Sequence, residues 1–351
     1  MQQTTSNSTT LTIGIDLGDS ESAYCVLSPE GEVVEESNLV TTPEGLDEFL
    51  KGRPRCRIVI EACLHSHWVG RQLEAAGHEV VVTNPRRNAL IAKSIRKNDR
   101  SDAHLLAEMG RSSLSLLHPV CIRDEQTLAV RSLLRARRTL VRTRARLVCM
   151  VRSQCKLFAL PLPSCGVEVF VKRARQHIPE ILQGILTPVL DMIDSLQEQI
   201  RAYNKRIDAL GKETYPVTQL LRQVPGVGEQ LSLAYVVALG SPKRFKNSRD
   251  VGAYLGLVPK QRQSGSKDPQ LSISKQGDRE VRTLLVNAAA YIMRRTSPDT
   301  TLKRFGKRIA ARGGARDRAR ARVAVARKLA VILHRLWTTS EVYEPLRGAT
   351  A

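Results

Sequence analysis

Four acidic residues stand where the local pattern could bring their carboxylates together. Asp16 closes the run Leu11–Gly18, in which Leu11, Ile13 and Ile15 alternate with Thr12, Gly14 and Asp16. That period of two marks a strand with one strongly apolar face. A carboxylate at its tip is costly unless a cation or a donor meets it. Glu61 closes a second apolar run, Ile58-Val59-Ile60. Asp99 and Asp102 are spaced to share one helix face. Four converging carboxylates would repel and raise one another's pKa. Two divalent cations would neutralise them, and hard oxygen ligands suit Mg2+. Such a pair can activate an attacking oxygen and stabilise the leaving one in phosphoryl transfer. A single Asp after a strand is more often a turn or helix cap, and Asp99 could cap a helix in Asn98–Asp102. It is the joint placement of all four that favours chemistry. The Cys63-Leu64-His65-Ser66-His67 segment has zinc-ligand residue types but no second ligand pair. His67 and Trp68 read as packing at a helix start.

The elements that would position these acids follow in order. Ala23–Ser28 and Val33–Val40 read as strands joined by the turn Ser28-Pro29-Glu30-Gly31. A short helix is expected over Pro43–Lys51, a strand over Arg57–Ala62, a helix over His67–Ala76 and a strand over His78–Thr83. Two helical stretches are expected between Arg86 and Leu117, with Asp99 and Asp102 on the second. Three meandering strands, then helix, strand, helix, strand, helix, is the order of the ribonuclease H-like (RuvC-like) α/β fold, a mixed sheet with flanking helices. The Asp16 and Glu61 strands, if neighbours, place all four acids at one end of the sheet.

The chain has 351 residues, with 55 Lys and Arg against 34 Asp and Glu and a net charge of +21. That excess implies a polyanionic partner, most often nucleic acid. No apolar run is long enough to span a bilayer, and the polar, uncharged Met1–Thr10 does not read as a signal peptide. Seven cysteines without a Cys-x-x-Cys pair suggest reduced thiols and a cytoplasmic protein.

Beyond the acids the chain becomes basic and helical. Arg123–Lys156 carries ten Arg or Lys against two acids, with apolar pairs at Leu133/Leu134, Leu140/Val141 and Leu147/Val148. One face would pack and the others would track nucleic acid. A second helix, Pro188–Gly211, belongs to a stripe through Leu186, Val189, Ile193, Leu196, Ile200, Tyr203, Ile207 and Leu210. This is a coiled-coil seam that could pair with the Arg-rich helix or with another subunit. Gln223–Gly228 resembles the hairpin of helix-hairpin-helix modules, whose glycines admit a phosphate, although an ordinary glycine turn reads as well. Arg294–Lys328 holds thirteen Arg or Lys against Asp299 and Asp317. These breaks divide the chain into 1–118, a RuvC-like domain; 119–215, a basic coiled-coil region; and 216–351, a mostly α C-terminal domain.

Taken in order, several motifs resemble the transposases of the IS one-ten family of insertion sequences, the bridge-RNA-guided DNA recombinases. They are Gly14-Ile15-Asp16, Ile60-Glu61-Ala62, Lys97–Ala103, the Val224–Gly228 hairpin, Gly256-Leu257-Val258-Pro259, Ser264-Gly265 and Ile273–Gly277. The resemblance implies an Asp-Glu-Asp-Asp metal site at Asp16, Glu61, Asp99 and Asp102. It implies a transposase domain with a serine nucleophile at Ser264, with Ser266 as its neighbouring rival. It also implies a noncoding bridge RNA pairing with donor and target DNA, and dimers that join into a tetramer, with metal site and serine meeting across subunits. The segment after Glu61 departs from the Gly-rich form of many members. A metal-dependent nuclease or junction resolvase would need only the acids. An ATPase of the actin and sugar-kinase superfold also starts with such a strand, but lacks a second phosphate loop here. A non-catalytic nucleic-acid-binding protein would share only the charge.

Overall fold

The computed structural model describes residues 11–84, 98–112, 114–117, 119–263, 269, 271–311 and 313–347. Ser264 and Ser266 lie outside them, as does the first of the two helical stretches expected after Arg86. Two compact units divide the chain, Met1–Leu128 and Ala129–Ala351.

The first unit is built on five strands: β1 (Thr12–Asp16), β2 (Glu21–Leu27), β3 (Val33–Val40), β4 (Arg57–Glu61) and β5 (Glu79–Thr83). Their order is β3-β2-β1-β4-β5. The first three form an antiparallel meander; β4 and β5 run parallel to β1. This is the mixed sheet of the ribonuclease H-like fold. One face carries Ile13, Ile15, Ile58, Ile60 and Val82, packed with Leu46 and Phe49 of α1 (Pro43–Leu50) and Val69 and Leu73 of α2 (Ser66–Ala75). The opposite face carries Gly14, Cys25, Val59 and Val81 and is covered by α3 (Asp99–Ser112). Alternation along each strand thus separates two cores.

Glycine sets the height of α3 above the sheet. A Cβ on Gly14 would fall 2.1 Å from the Ala103 carbonyl oxygen, and one on Gly110 would fall 2.4 Å from Val59 Cγ2. The helix therefore lies against β1 with its first turn at the Asp16 end and Gly110 near Thr12.

The second unit is helical among the described residues. Most of α4 (Glu125–Leu157) belongs to it, followed by α5 (Phe170–His177) and α6 (Glu180–Glu213). The sequence pattern starts this last helix at Pro188, but Pro188 lies inside it. The proline leaves the residue 184 carbonyl without its helical donor, and Thr187 Oγ1 donates to the neighbouring Gln183 carbonyl at 2.6 Å. Buried Leu182 and Leu186 extend the apolar stripe past the proline. That stripe is covered within the chain: Leu186, Leu190 and Ile193 share a core with Val151 and Cys155 of α4 and Phe170 of α5. Ile193 and Ile200 are 1% and 3% exposed.

The largest core gathers the start of α4 with α7 (Val217–Leu221), α8 (Glu229–Leu239), α9 (Asp250–Tyr254), α10 (Arg279–Ile292), α11 (Thr301–Ala310) and α12 (Gly314–Thr339). Alpha8 is buried on all sides, and Tyr235 at its centre donates to the Ala330 carbonyl at 2.6 Å.

Candidate active site

Asp16 and Glu61 are brought side by side by strand register. Parallel pairing runs from Thr12↔Arg57 to Ile15↔Ile60, so Asp16 and Glu61 are the next positions along neighbouring strands. Such strands lie about 4.8 Å apart. Both acids share the parity of Gly14 and Val59, which face α3, and both are partly exposed.

The first turn of α3 supplies the other two acids. Asn98 caps it: its side-chain oxygen accepts from the Ser101 N–H at 2.7 Å and its carbonyl from the Asp102 N–H at 3.0 Å. Asp99 is therefore released from capping and is exposed. Asp102 turns inward beside Ala103, which sits on Gly14, and is 6% exposed. Its Oδ1 is buried without a hydrogen-bond partner. An unmet buried carboxylate oxygen costs about 1–3 kcal/mol or more, an arrangement that a bound cation would relieve. The helix N-terminus offsets part of that charge. Hard oxygen donors from β1, β4 and α3 suit a divalent cation. Their carboxylate oxygens do not form a group of three within 4.8 Å of one another among the described residues.

Two side chains beside these acids drew no catalytic reading from the sequence. Asp19 and His65 follow β1 and β4, and Asp19 Oδ1 lies 3.2 Å from His65 Nε2. Trp68 Nε1 donates to His65 Nδ1 at 3.1 Å. The indole can only donate, so a neutral His65 carries its proton on Nε2 and gives it to Asp19. His67 Nδ1 accepts from the Arg123 N–H at 3.3 Å. The ligand atoms of Cys63, His65 and His67 gather into no metal-holding group among the described residues.

Comparison with known proteins places the chain in a family. Residues 13–158 match the DEDD transposase model of IS110, and residues 218–304 match the Transposase IS116/IS110/IS902 family. The chain is 30% identical to the transposase of insertion sequence element IS1328 from Yersinia enterocolitica, over 81% of this chain and 84% of that one. It is 29% identical to the transposase of IS1111A from Coxiella burnetii, over 94% and 90%. It is 25% identical to a pilin gene-inverting protein from Moraxella bovis, over 73% and 71%.

The chain belongs to the IS110 family of transposases. It is an insertion-sequence transposase, an enzyme that cuts DNA, and the DEDD match over residues 13–158 covers the strands and helix that carry the four acids. A DEDD transposase depends on divalent metal, in keeping with the oxygen donors above. Among the described residues no helix is long and apolar enough to cross a membrane.

In the C-terminal half of the transposase, the motifs on either side of Ser264 in the sequence lie against each other. The Lys260 N–H donates to the Ser272 carbonyl at 3.0 Å, and the Ser274 N–H to Val258 at 2.8 Å. Pro259 and Ile273 thus pair as an antiparallel bridge. The motif glycines permit backbone contact beneath it. A Cβ on Gly256 would fall 2.0 Å from the Gln276 oxygen, and one on Gly277 would fall 1.9 Å from Tyr254 O; both have positive φ. Arg282 ties the two segments by donating to the Leu255 and Gln276 carbonyls at 2.9 and 3.0 Å. Gly226 of the expected phosphate hairpin, with φ +87°, is closed off by Tyr291 and Ala288, whereas Gly228 is open before α8.

The arginines of α4 divide by task. Arg131 pairs with Asp278 at 2.7 Å, Arg137 donates to Asn204 at 2.6 Å and Arg144 donates to Gln197. Burial, reinforced by the charge of Arg144, pushes Arg137 below its usual value. Arg135, Arg142 and Arg146 are exposed. On α12, Arg316, Arg318, Arg320, Arg322, Arg327 and Lys328 are exposed, as is Arg335, which pairs with Glu341 at 2.9 Å. The basic surface is therefore narrower than the count of arginines suggests.

Proposed function

We propose that this transposase cuts and rejoins DNA with the acids Asp16, Glu61, Asp99 and Asp102 and a serine nucleophile, Ser264, under the guidance of a noncoding bridge RNA. The observation that carries the reading is the register of Asp16 beside Glu61 on the face that meets Asp102, whose buried Oδ1 has no partner. These four residues would hold Mg2+. When bound, the cations would lower the charge on a scissile phosphate and favour the alkoxide of an attacking hydroxyl.

The chain's own part is then as follows. Ser264 Oγ forms a bond to the DNA phosphorus and the bond from phosphorus to the deoxyribose oxygen breaks. The serine proton ends on that departing oxygen. The products are a phosphoserine ester and a free DNA hydroxyl, and the reverse step on another strand rejoins DNA without ATP. Arg262 and Lys267 flank the serine with positive charge. The exposed arginines of α4 and α12 would track nucleic acid backbones. Assembly as dimers joined into a tetramer would let acids and serine from different subunits meet. Such strand exchange suits inversion as well as insertion, which accords with the inverting function named for the Moraxella relative.

The test is to trap the reaction on a nicked suicide substrate and map the adduct by mass spectrometry. A DNA adduct on Ser264, absent in Ser264→Ala, supports the reading. An adduct on Ser266 moves the nucleophile. Cleavage without any adduct would favour a plain metal-dependent nuclease.

A further inference from the structure

We propose that Cys25, Glu36 and His104 form a second cation site, selective for Zn2+ or a similar thiophilic ion and separate from the acids. The three residues come from different elements. Cys25 on β2 is the cross-strand partner of Glu36 on β3, and α3 lays His104 over both. Their ligand atoms, Cys25 Sγ, one Glu36 carboxylate oxygen and His104 Nδ1, all lie within 4.8 Å of one another. Sγ is 3.5 Å from Nδ1, and Nδ1 is 3.5 Å from Glu36 Oε1.

The thiol has Glu36 and His104 as hydrogen-bond partners, but the imidazole nitrogen is not fully served by them. A neutral imidazole Nδ1 has either one proton or one lone pair. It can accept from the thiol or donate to the carboxylate, but here it faces both at equal distance. The separation from Oε1 exceeds the usual N–H···O range of about 2.7–3.2 Å. An ion between the three atoms would engage all of them. With Zn–S of about 2.3 Å and Zn–N or Zn–O of about 2.0–2.1 Å, tetrahedral ligands stand about 3.3–3.5 Å apart, close to the two 3.5 Å separations.

The chemistry of the donor set fits the same ion. Without a cation, burial and the neighbouring Glu36 hold the Cys25 thiol protonated. Zn2+ would displace that proton to solvent, and thiolate plus carboxylate would balance its charge. Cys25 is 0% exposed, while the Glu36 and His104 side chains are 34% and 40% exposed. The ion can therefore enter from solvent and keep water in a fourth position. A sulfur and an imidazole select Zn2+ over Mg2+, whereas the four acids select the reverse. The site would also staple the helix that carries Asp99 and Asp102 to the outer strands.

The experiment is Co2+ titration of the metal-free, full-length protein, followed by absorption spectroscopy and zinc analysis. The expected result is a thiolate-to-cobalt charge-transfer band saturating at one ion per chain and bleached by Zn2+. Cys25→Ser should abolish the band and His104→Ala should weaken binding at least about 10-fold. Asp16→Asn should keep the site, so loss of the acids and loss of this site are distinguishable. Circular dichroism checks that each variant is folded. If Cys25→Ser is misfolded, His104→Ala and Glu36→Gln decide. No thiolate band in the folded wild type would overturn the proposal. A band unchanged in Cys25→Ser, or in both His104→Ala and Glu36→Gln, would do the same.

Discussion

Gly14→Ala should disable the enzyme without replacing any of the acids. Gly14 sits on β1 beneath α3, and its added methyl would lie 2.1 Å from Ala103 O, 2.4 Å from Ala107 N and 2.9 Å from Leu106 Cβ. Two of these neighbours are backbone atoms of one helix turn and cannot rotate away. Restoring ordinary contact requires the helix to retreat by about 1 Å. Asp102 adjoins Ala103 and moves with it, away from Asp16 and Glu61. Overpacking of this kind costs about 1–3 kcal/mol, so the melting temperature should fall by several degrees. A misplacement of about 1 Å at a reacting centre can cost about 100-fold in rate. DNA cleavage is to be compared well below the melting temperature, with Gly184→Ala as the control. Gly184 is on an open stretch of α6, where an added methyl would meet nothing within 4 Å beyond its own helix. Alanine there should add about 0.5–1 kcal/mol. Wild-type melting and cleavage in Gly14→Ala would show that α3 is not seated on β1 as described.

Other outcomes follow from the same geometry. Asp102→Asn replaces a carboxylate whose buried Oδ1 has no partner, so the cation-free variant should melt no lower than wild type. Added Mg2+ should raise the melting temperature of wild type only; equal shifts would refute a role for Asp102 in cation binding. Replacing Arg135, Arg142 and Arg146 with Ala should reduce the dependence of log affinity on log salt by roughly 3. Replacing Arg137 and Arg144 should instead lower stability; an unchanged salt slope in the first set would exclude those arginines as phosphate contacts. Burial raises the Asp278 carboxyl, but Arg131 and the N–H groups of Val281 and Glu280 outweigh it and hold the pKa low. A lowered carboxylate gives stability above its unfolded value of about 3.9, lost as pH falls through the folded value. Urea titrations should therefore show Arg131→Ala less stable at neutral pH, the gap closing below about pH 4; a pH-independent gap would contradict this. RNA copurifying with the protein would support guidance, whereas specific action by RNA-free protein would refute it.

The sheet was legible because alternation and turn residues agree locally. Ile13 and Ile15, then Ile58 and Ile60, declare one face, and the turn at Ser28–Gly31 fixes the meander. That Asp16 and Glu61 share a face follows from parity once β1 and β4 are neighbours. The role of Asn98 was not legible, because Asn and Asp both cap helices and only backbone geometry chooses between them. The inward turn of Arg131, Arg137 and Arg144 was hidden for a related reason. A long Arg-rich helix gives no local sign of which partners lie across from it, and Asp278 and Gln197 are remote in sequence. Cys25, Glu36 and His104 come from separate elements, so no spacing rule could join them.

The claim that the acids of β1, β4 and α3 hold divalent cation is tested most directly by Mn2+ binding. Electron paramagnetic resonance reports the free aqueous ion, whose signal falls as the protein takes it up. Wild-type protein should deplete that signal, and Mg2+ should restore it by competition. Asp16→Asn and Asp102→Asn, folded by circular dichroism, should leave most of the Mn2+ free, while Cys25→Ser should bind as wild type. Equal Mn2+ uptake by wild type, Asp16→Asn and Asp102→Asn would contradict the account.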